Sequence, residues 1–306
     1  MRDNKTCLNY ATGMANQAKK QKNSPNSAYL INSVQKAMTA TIFMQLVKEK
    51  KIKLSDTLDK FYPEVPDASK IKMQQLLQMT SGLVYPSQKY GSPEYKSDQS
   101  GIKYDISKTK FNPKIYGQRS YQPINYVLLA GIIEKITHQS YESNFEKIFI
   151  KGLKLKQTAF VWDKGVDKIH FAKSYQKDKD SVEDKPVSLN INELRGEFGT
   201  GSIVMSNRDL YKAIKAMLDG RLLSQTDRDR LFSGSSDEVQ GGNYGGGFYN
   251  FPTYHAANGA GNGYTNFVRI SNDGKTAIVI QANYPIKNYF KMREIMNQLM
   301  QKLLIS

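Results

Sequence analysis

A serine hydroxyl is a poor nucleophile in water, and a lysine amine there is fully protonated. Held against each other, the two become useful. Ser33 and Lys36 lie three residues apart in Tyr29-Leu30-Ile31-Asn32-Ser33-Val34-Gln35-Lys36-Ala37-Met38-Thr39-Ala40, at the start of an apolar, helix-periodic run. On a helix, positions i and i+3 share a face with Cβ atoms about 5–6 Å apart. A lysine at that distance takes the hydroxyl proton and frees the serine to attack a carbonyl. Spacing alone does not select this pair, because Ser69/Lys72, Ser100/Lys103, Ser107/Lys110 and Ser174/Lys177 repeat it. Setting does: only Ser33 follows an apolar pair and opens a long apolar helix, whose N-terminal N–H groups and dipole favour developing negative charge. Burial of Lys36 lowers its proton affinity toward that of a working base. The competing role for Ser33 is a plain helix N-cap.

The elements that must position this pair follow in chain order. Thr6 to Met14 reads as a short strand ending at Gly13, and Ala15 to Ser27 as a polar loop. Ala37, Ala40, Thr41, Met44, Leu46 and Val47 mark an amphipathic helix of about four turns. Ile71–Met79 predicts a second helix, stopped at Gly82, and Asn125–Ile136 a third, entered through Pro123. Val84 to Ser120 reads as a long loop or loosely helical excursion, and Lys173 to Lys185 as a loop. Asn207–Leu218 predicts a helix capped by Ser206 or Asn207. The last third changes period: Tyr244–Phe251, Tyr254–Gly261, Tyr264–Ser271 and Thr276–Asn283 read as strands, with Asn272-Asp273-Gly274-Lys275 as a hairpin turn. Tyr289 to Ile305 closes the chain as an amphipathic helix. The order implies an α/β (α+β) fold with an antiparallel sheet flanked by helices. Residues 1–36 and 196–306 would form a discontinuous sheet domain, with the N-terminal strand paired to the C-terminal sheet. Residues 37–195 would be a mostly helical insertion, with the site at the interface.

Composition narrows the function. The chain has 306 residues, 44 Lys+Arg against 28 Asp+Glu and a net charge of +16, which attracts polyanions. The lysines are scattered, with no zinc-knuckle spacing, RNP pattern or basic helical stripe, which argues against nucleic acid. The single cysteine, Cys7, excludes a disulfide framework, and His138, His170 and His255 are too dispersed for a metal hydrolase. No cofactor or metal is expected. There is no apolar signal-peptide core and no 18-residue apolar run.

Several blocks together carry a resemblance: Ile31–Ala40, Met44–Val47, Lys53–Pro63, Leu76–Leu83, Tyr121–Glu134 and Gly199–Leu210. In this order they closely resemble the serine β-lactamase-like and penicillin-binding-protein superfamily, in its class C-like branch. The resemblance implies the β-lactamase/transpeptidase-like fold and three motifs. The first, S-x-x-K, is Ser33 and Lys36. The second, Tyr-x-Asn, reads Tyr121-Gln122-Pro123, so Tyr121 would shuttle protons with Lys36 while Pro123 stands where the asparagine belongs. Asn125, two residues on, is the amide left to touch substrate. The third motif, Lys- or His-(Thr/Ser)-Gly, reads Ala257-Asn258-Gly259 with Ala260 next. The backbone N–H groups of Ser33 and Ala260 would form the oxyanion hole, with Asn258 and Gly259 lining the substrate. Shifting that register by two residues brings in His255 but loses the glycine.

The missing cation in the third motif moves the expected substrate away from carboxylate-bearing peptides and β-lactams. With the +16 charge, the chain is similar to penicillin-binding-type esterases that remove D-alanine from teichoic acids of the Gram-positive wall. The scattered lysines between Lys89 and Lys114 would suit such a polyphosphate. The expectation is a monomeric serine esterase acting through an acyl-enzyme on Ser33. The alternatives are a D,D-carboxypeptidase or β-lactamase-like esterase, and a catalytically weak wall-polymer-binding protein. The resemblance also implies work at the cell surface, with an anchor or signal and a first helix and strand preceding the segment that starts here. The membrane would be met only through that missing anchor.

Overall fold

In the computed structural model, residues 1–85, 96–177, 184–236 and 242–305 are described. Lys89, part of the anticipated lysine surface, lies outside them. The centre of the molecule is the Gln35–Lys48 helix, which presents buried residues on every face, including Gln35, Lys36, Thr39 and Thr41. It is therefore a central helix rather than the amphipathic one its apolar spacing suggested. The Ile124–Thr137 helix packs along it and is buried from Ile124 to Ile133.

Two antiparallel sheets meet at the start of the central helix. The larger has six strands that neighbour one another in chain order: Ser235–Ser236, Asn243–Gly245, Phe248–Asn250, Tyr254–Gly261, Tyr264–Ser271 and Ala277–Ala282. Tyr254–Gly261 and Tyr264–Ser271 pair along their whole length, with Gly259 opposite Asn266 and Ala260 opposite Thr265. The smaller sheet places Ile203–Ser206 between Ala28–Leu30 and Thr158–Phe160. Asn266 ties the two together: its Nδ2 donates to Leu30 O at 3.0 Å and to Gly259 O at 3.3 Å. The Tyr289–Ile305 helix packs on the Tyr264–Ser271 strand, burying Met296 and Met300.

The structure departs from the sequence reading at the N-terminus. The first strand is Met14–Asn16, paired with Gln21–Lys22 rather than with the C-terminal sheet. Leu8 and Tyr10 are exposed at 80% and 72%, so the Thr6–Met14 segment buries too little to hold a sheet edge. The N-terminal link to the large sheet is Met1, which exchanges backbone hydrogen bonds with Ala277. Within the 84–120 excursion the helical alternative holds at Asp98–Lys108, while the anticipated 173–185 loop carries paired strands at Tyr175–Lys177 and Asp184–Pro186. Each holds few apolar residues, Ile102 and Ile106 in the helix and Tyr175 in the strands, so hydrophobic period marks them weakly.

Candidate active site

Ser33 lies in a single 3-10 turn, Asn32–Val34, that leads into the central helix. Asn32 before it adopts the left-handed conformation (φ 48°), which asparagine tolerates better than most residues. Its amide Nδ2 donates to Leu30 O and Gly261 O, fixing the approach to Ser33. No side chain caps either helical segment. Ser33 is thus no N-cap, and its hydroxyl is left for Lys36, whose Nζ lies 2.9 Å from Ser33 Oγ. Three of the other serines at the same spacing are spent on other partners: Ser100 in a capping box, Ser107 on Tyr104 O, Ser174 on Asn262 O.

Lys36 is 1% exposed, and its Nζ also donates to Thr200 O at 3.2 Å. Burial lowers its pKa to about 7, against the opposing pull of Glu197. The Thr200 carbonyl is held in place by two ties from the same helix. Ser202 N donates to Gln35 Oε1 at 2.6 Å, and Thr39 Oγ1 donates to Gly199 O at 2.6 Å. Lys36 Nζ lies 5.3 Å from the centre of the Tyr121 ring. Burial pushes the Tyr121 phenol up to about 12, offset in part by a hydrogen bond with Ser33 and by Arg119. The structure therefore brings Ser33, Lys36 and Tyr121 together, with the amine in a state that can accept a proton near neutral pH.

Gly259 sets the strand beside the nucleophile. A Cβ built there would sit 2.2 Å from Ile31 O and 3.3 Å from Asn32 Cβ, so only glycine lets the strand run this close. The Phe248–Asn250 strand covers its neighbour only at His255 and Ala256. Among the described residues no strand pairs with Ala257–Gly261 on that edge, which faces the Ser33 turn. The amide of Ser33 belongs to a first helical turn, where no helix carbonyl reaches it. Ser33 and Ala260, whose amides were expected to bind an oxyanion, thus lie on elements packed against each other.

The other expected contacts are committed elsewhere. Asn125 is buried, with its Oδ1 accepting from Ser81 Oγ at 2.6 Å and its Nδ2 donating to Gln122 O at 2.8 Å. It braces the turn that carries Tyr121 instead of lining the cleft. Asn258 Oδ1 accepts from the buried Arg269 Nη1 at 2.9 Å. Strand alternation places it on the face opposite Gly259, toward the C-terminal helix. His255 lies four residues before Gly259, its Nδ1 2.6 Å from Asn250 Oδ1 and its ring against Phe232 and Phe248. Burial lowers its pKa to about 4, so it does not replace the missing cation.

Two groups near the pair had no signal in the sequence. Arg119 sets its guanidinium 5.7 Å from the Tyr121 ring, 5.4 Å from Tyr244 and 5.6 Å from Tyr249, and its Nη2 donates to Tyr249 OH at 3.2 Å. Glu197 reaches the neighbourhood of Lys36 from the end of the Ile191–Gly196 helix. Neither lies in a recognisable pattern, since both arrive by tertiary contact.

Comparison with known proteins finds relatives over nearly the whole chain. Residues 1–299 match the β-lactamase family. A teichoic acid D-alanine hydrolase of Staphylococcus aureus (strain MRSA252) is 30% identical over 282 residues, covering 92% of this chain and 68% of that one. The crystal structure of FmtA from Staphylococcus aureus superposes with a TM-score of 0.80 at 28% identity, covering 95% of this chain and 78% of that one. D-amino acid amidase from Ochrobactrum anthropi SV3, at 19% identity, shares the fold with a TM-score of 0.79, covering 96% of this chain and 88% of that one. The chain belongs to the β-lactamase family of serine hydrolases.

Proposed function

We propose that Ser33 is the nucleophile of an esterase that removes D-alanine from the teichoic acids of the Gram-positive wall. The observation that carries the reading is the buried Lys36 amine 2.9 Å from Ser33 Oγ, with Tyr121 beside both. Ser33 Oγ attacks the D-alanyl carbonyl and its proton passes to Lys36. The amides of Ser33 and Ala260 hold the oxyanion. As the tetrahedral species collapses, the polymer oxygen leaves with a proton handed on through Tyr121. Water then adds to the acyl-enzyme by the same groups in reverse, releasing D-alanine and Ser33.

Three observations favour an ester on an anionic chain. One relative reported above, 30% identical, is a teichoic acid D-alanine hydrolase. Ala257 stands where the third motif would carry a cation for a substrate carboxylate. The net charge of +16 suits a polyphosphate, and Arg119 adds a cation beside Tyr121. Such a substrate places the protein at the cell surface, and we take it to act as a monomer. Among the described residues no helix is long and apolar enough to cross a membrane.

A fluorophosphonate serine probe tests the nucleophile, with Ser33→Ala as control. Labelling that survives the substitution, or no labelling of the wild type, removes the acyl-enzyme and leaves a wall-polymer-binding protein. D-alanine release from D-alanylated teichoic acid and from a muropeptide tests the substrate. Release from the muropeptide alone would make the protein a D,D-carboxypeptidase.

A further inference from the structure

Glu197 sits on the turn that serves Lys36. Its carbonyl accepts from Thr200 N at 2.8 Å, Thr200 Oγ1 at 3.0 Å and Gly201 N at 3.0 Å, curling the chain after the Ile191–Gly196 helix. The curl presents Thr200 O to Lys36 Nζ at 3.2 Å. It also folds the Glu197 carboxylate back over Gly201: a Cβ there would lie 2.0 Å from Glu197 Oε2 and 3.5 Å from Asn32 Cα. The carboxylate is thus lodged between the Thr200–Gly201 peptide and the backbone that leads into Ser33. Gly201 is what leaves room for it. The turn is pinned to the central helix through Gln35 and Thr39, so carboxylate and amine cannot drift apart independently.

The charged groups around Glu197 are few. Among the described residues, Lys36 on the central helix and Tyr121 ahead of the Ile124–Thr137 helix interact with it through charge, with Arg119 beyond Tyr121. Glu193 lies one turn earlier on its own helix. Burial pushes Glu197 up to about 7, and Lys36 works against that rise. The charge of each group therefore bears on the proton affinity of the other.

We propose that Glu197 is a positioning residue for Lys36: its carboxylate, packed over the Thr200–Gly201 peptide whose carbonyl accepts from Lys36 Nζ, keeps the proton taken from Ser33 on Lys36 until the leaving oxygen receives one. The inference rests on the acyl-enzyme reading above. No atom is exchanged with Glu197. The Ser33 Oγ–H bond breaks as the Oγ–carbonyl bond forms, the proton resides on Lys36 Nζ, and the departing alkoxide gains one through Tyr121. The carboxylate stabilises the ammonium between those events.

The test compares wild type, Glu197→Gln and Glu197→Asp over about pH 5–9 on two substrates: a D-alanyl ester and a short-chain acyl nitrophenyl ester that has no amino group. In Glu197→Gln, kcat should fall about 100-fold on both esters, as expected for a disturbed proton transfer. KM should stay within about twofold of wild type, as expected when uniform binding is untouched. The acid limb of kcat/KM should move to lower pH by about tenfold in proton concentration, because a neutral amide no longer helps Lys36 keep its proton. Glu197→Asp should restore part of the rate and of the limb. An unmoved limb overturns the proposal. A KM increase confined to the D-alanyl ester also overturns it, assigning Glu197 to the substrate ammonium instead. Should Glu197→Gln fail to fold, judged by its melting curve, Glu197→Asp alone decides, and a limb that matches wild type is the negative result. Wild type that cleaves the nitrophenyl ester and not the D-alanyl ester removes the proposed substrate and leaves the role of Glu197 standing. Activity in Ser33→Ala removes both.

Discussion

Replacing Lys36 by methionine should abolish turnover and, at the same time, stabilise the fold. Lys36 is 1% exposed, and burial lowers its pKa from 10.5 to about 7. Each tenfold loss of proton affinity corresponds to about 1.4 kcal/mol, so the native state carries a penalty of roughly 4–5 kcal/mol for this amine below pH 7. Methionine keeps the length and apolar contacts of the lysine stem. It deprives the Ser33 hydroxyl and the Thr200 carbonyl of a donor, which costs about 1–2 kcal/mol. Glu197 loses its cation as well, but below about pH 7 that carboxyl is protonated and adds little. The net gain at about pH 6 is on the order of 2–3 kcal/mol, or roughly 5 °C in Tm for a chain of this size. The pH dependence is the sharper signature. Between about pH 7 and 10 the unfolded lysine holds a proton that the folded one has lost, so wild-type stability rises with pH across that window. The advantage of Lys36→Met is therefore full at pH 6 and closes as the pH approaches 10. Thermal melts of both proteins at about pH 6, 7.5 and 9, with ester hydrolysis measured alongside, make the comparison. A variant less stable than wild type at pH 6, or a gap that ignores pH, would refute the reasoning.

Other substitutions separate the parts of the site. Tyr121→Phe should lower kcat by about 10²- to 10⁴-fold, the usual worth of a positioned proton donor, while leaving probe binding at Ser33 detectable. Gly259→Ala should cost about 1–3 kcal/mol in denaturant unfolding and reduce kcat, because its methyl meets Ile31 O. Unchanged stability there would mean the strand does not pack against the Ser33 turn. Asn125→Ala should lower stability by about 1–3 kcal/mol through the orphaned Ser81 and Gln122 groups. If Asn125 touched substrate instead, KM would rise in a protein of normal stability.

The grouping of Ser33, Lys36 and Tyr121 was legible from the chain because each sits in an ordered local setting. Ser33 and Lys36 are one helical turn apart, and Tyr121 lies just ahead of a strong helix signal. For Gly259 the sequence reading pointed to the substrate, and the close backbone approach found there is against Ile31 O. The two asparagines were not legible. Asn125 and Asn258 stand at the right places in the sequence, but an amide goes to whichever partner the packing supplies, and those are Ser81, Gln122 and Arg269. The N-terminal strand was misplaced for a related reason: a few apolar residues cannot say which sheet, if any, they will join.

Sequence by itself determined the local geometry of the Ser33–Lys36 pair, since helical spacing is fixed by the backbone. It also determined the fold class, through the change from helical to alternating period in the last third of the chain. Whether Lys36 is a base was decided only by tertiary structure. That depends on the Thr200 carbonyl, the Glu197 carboxylate and the surrounding apolar groups, some 160 residues away along the chain. A proton affinity is set by the dielectric and charges around a group, and those are assembled only when distant segments pack.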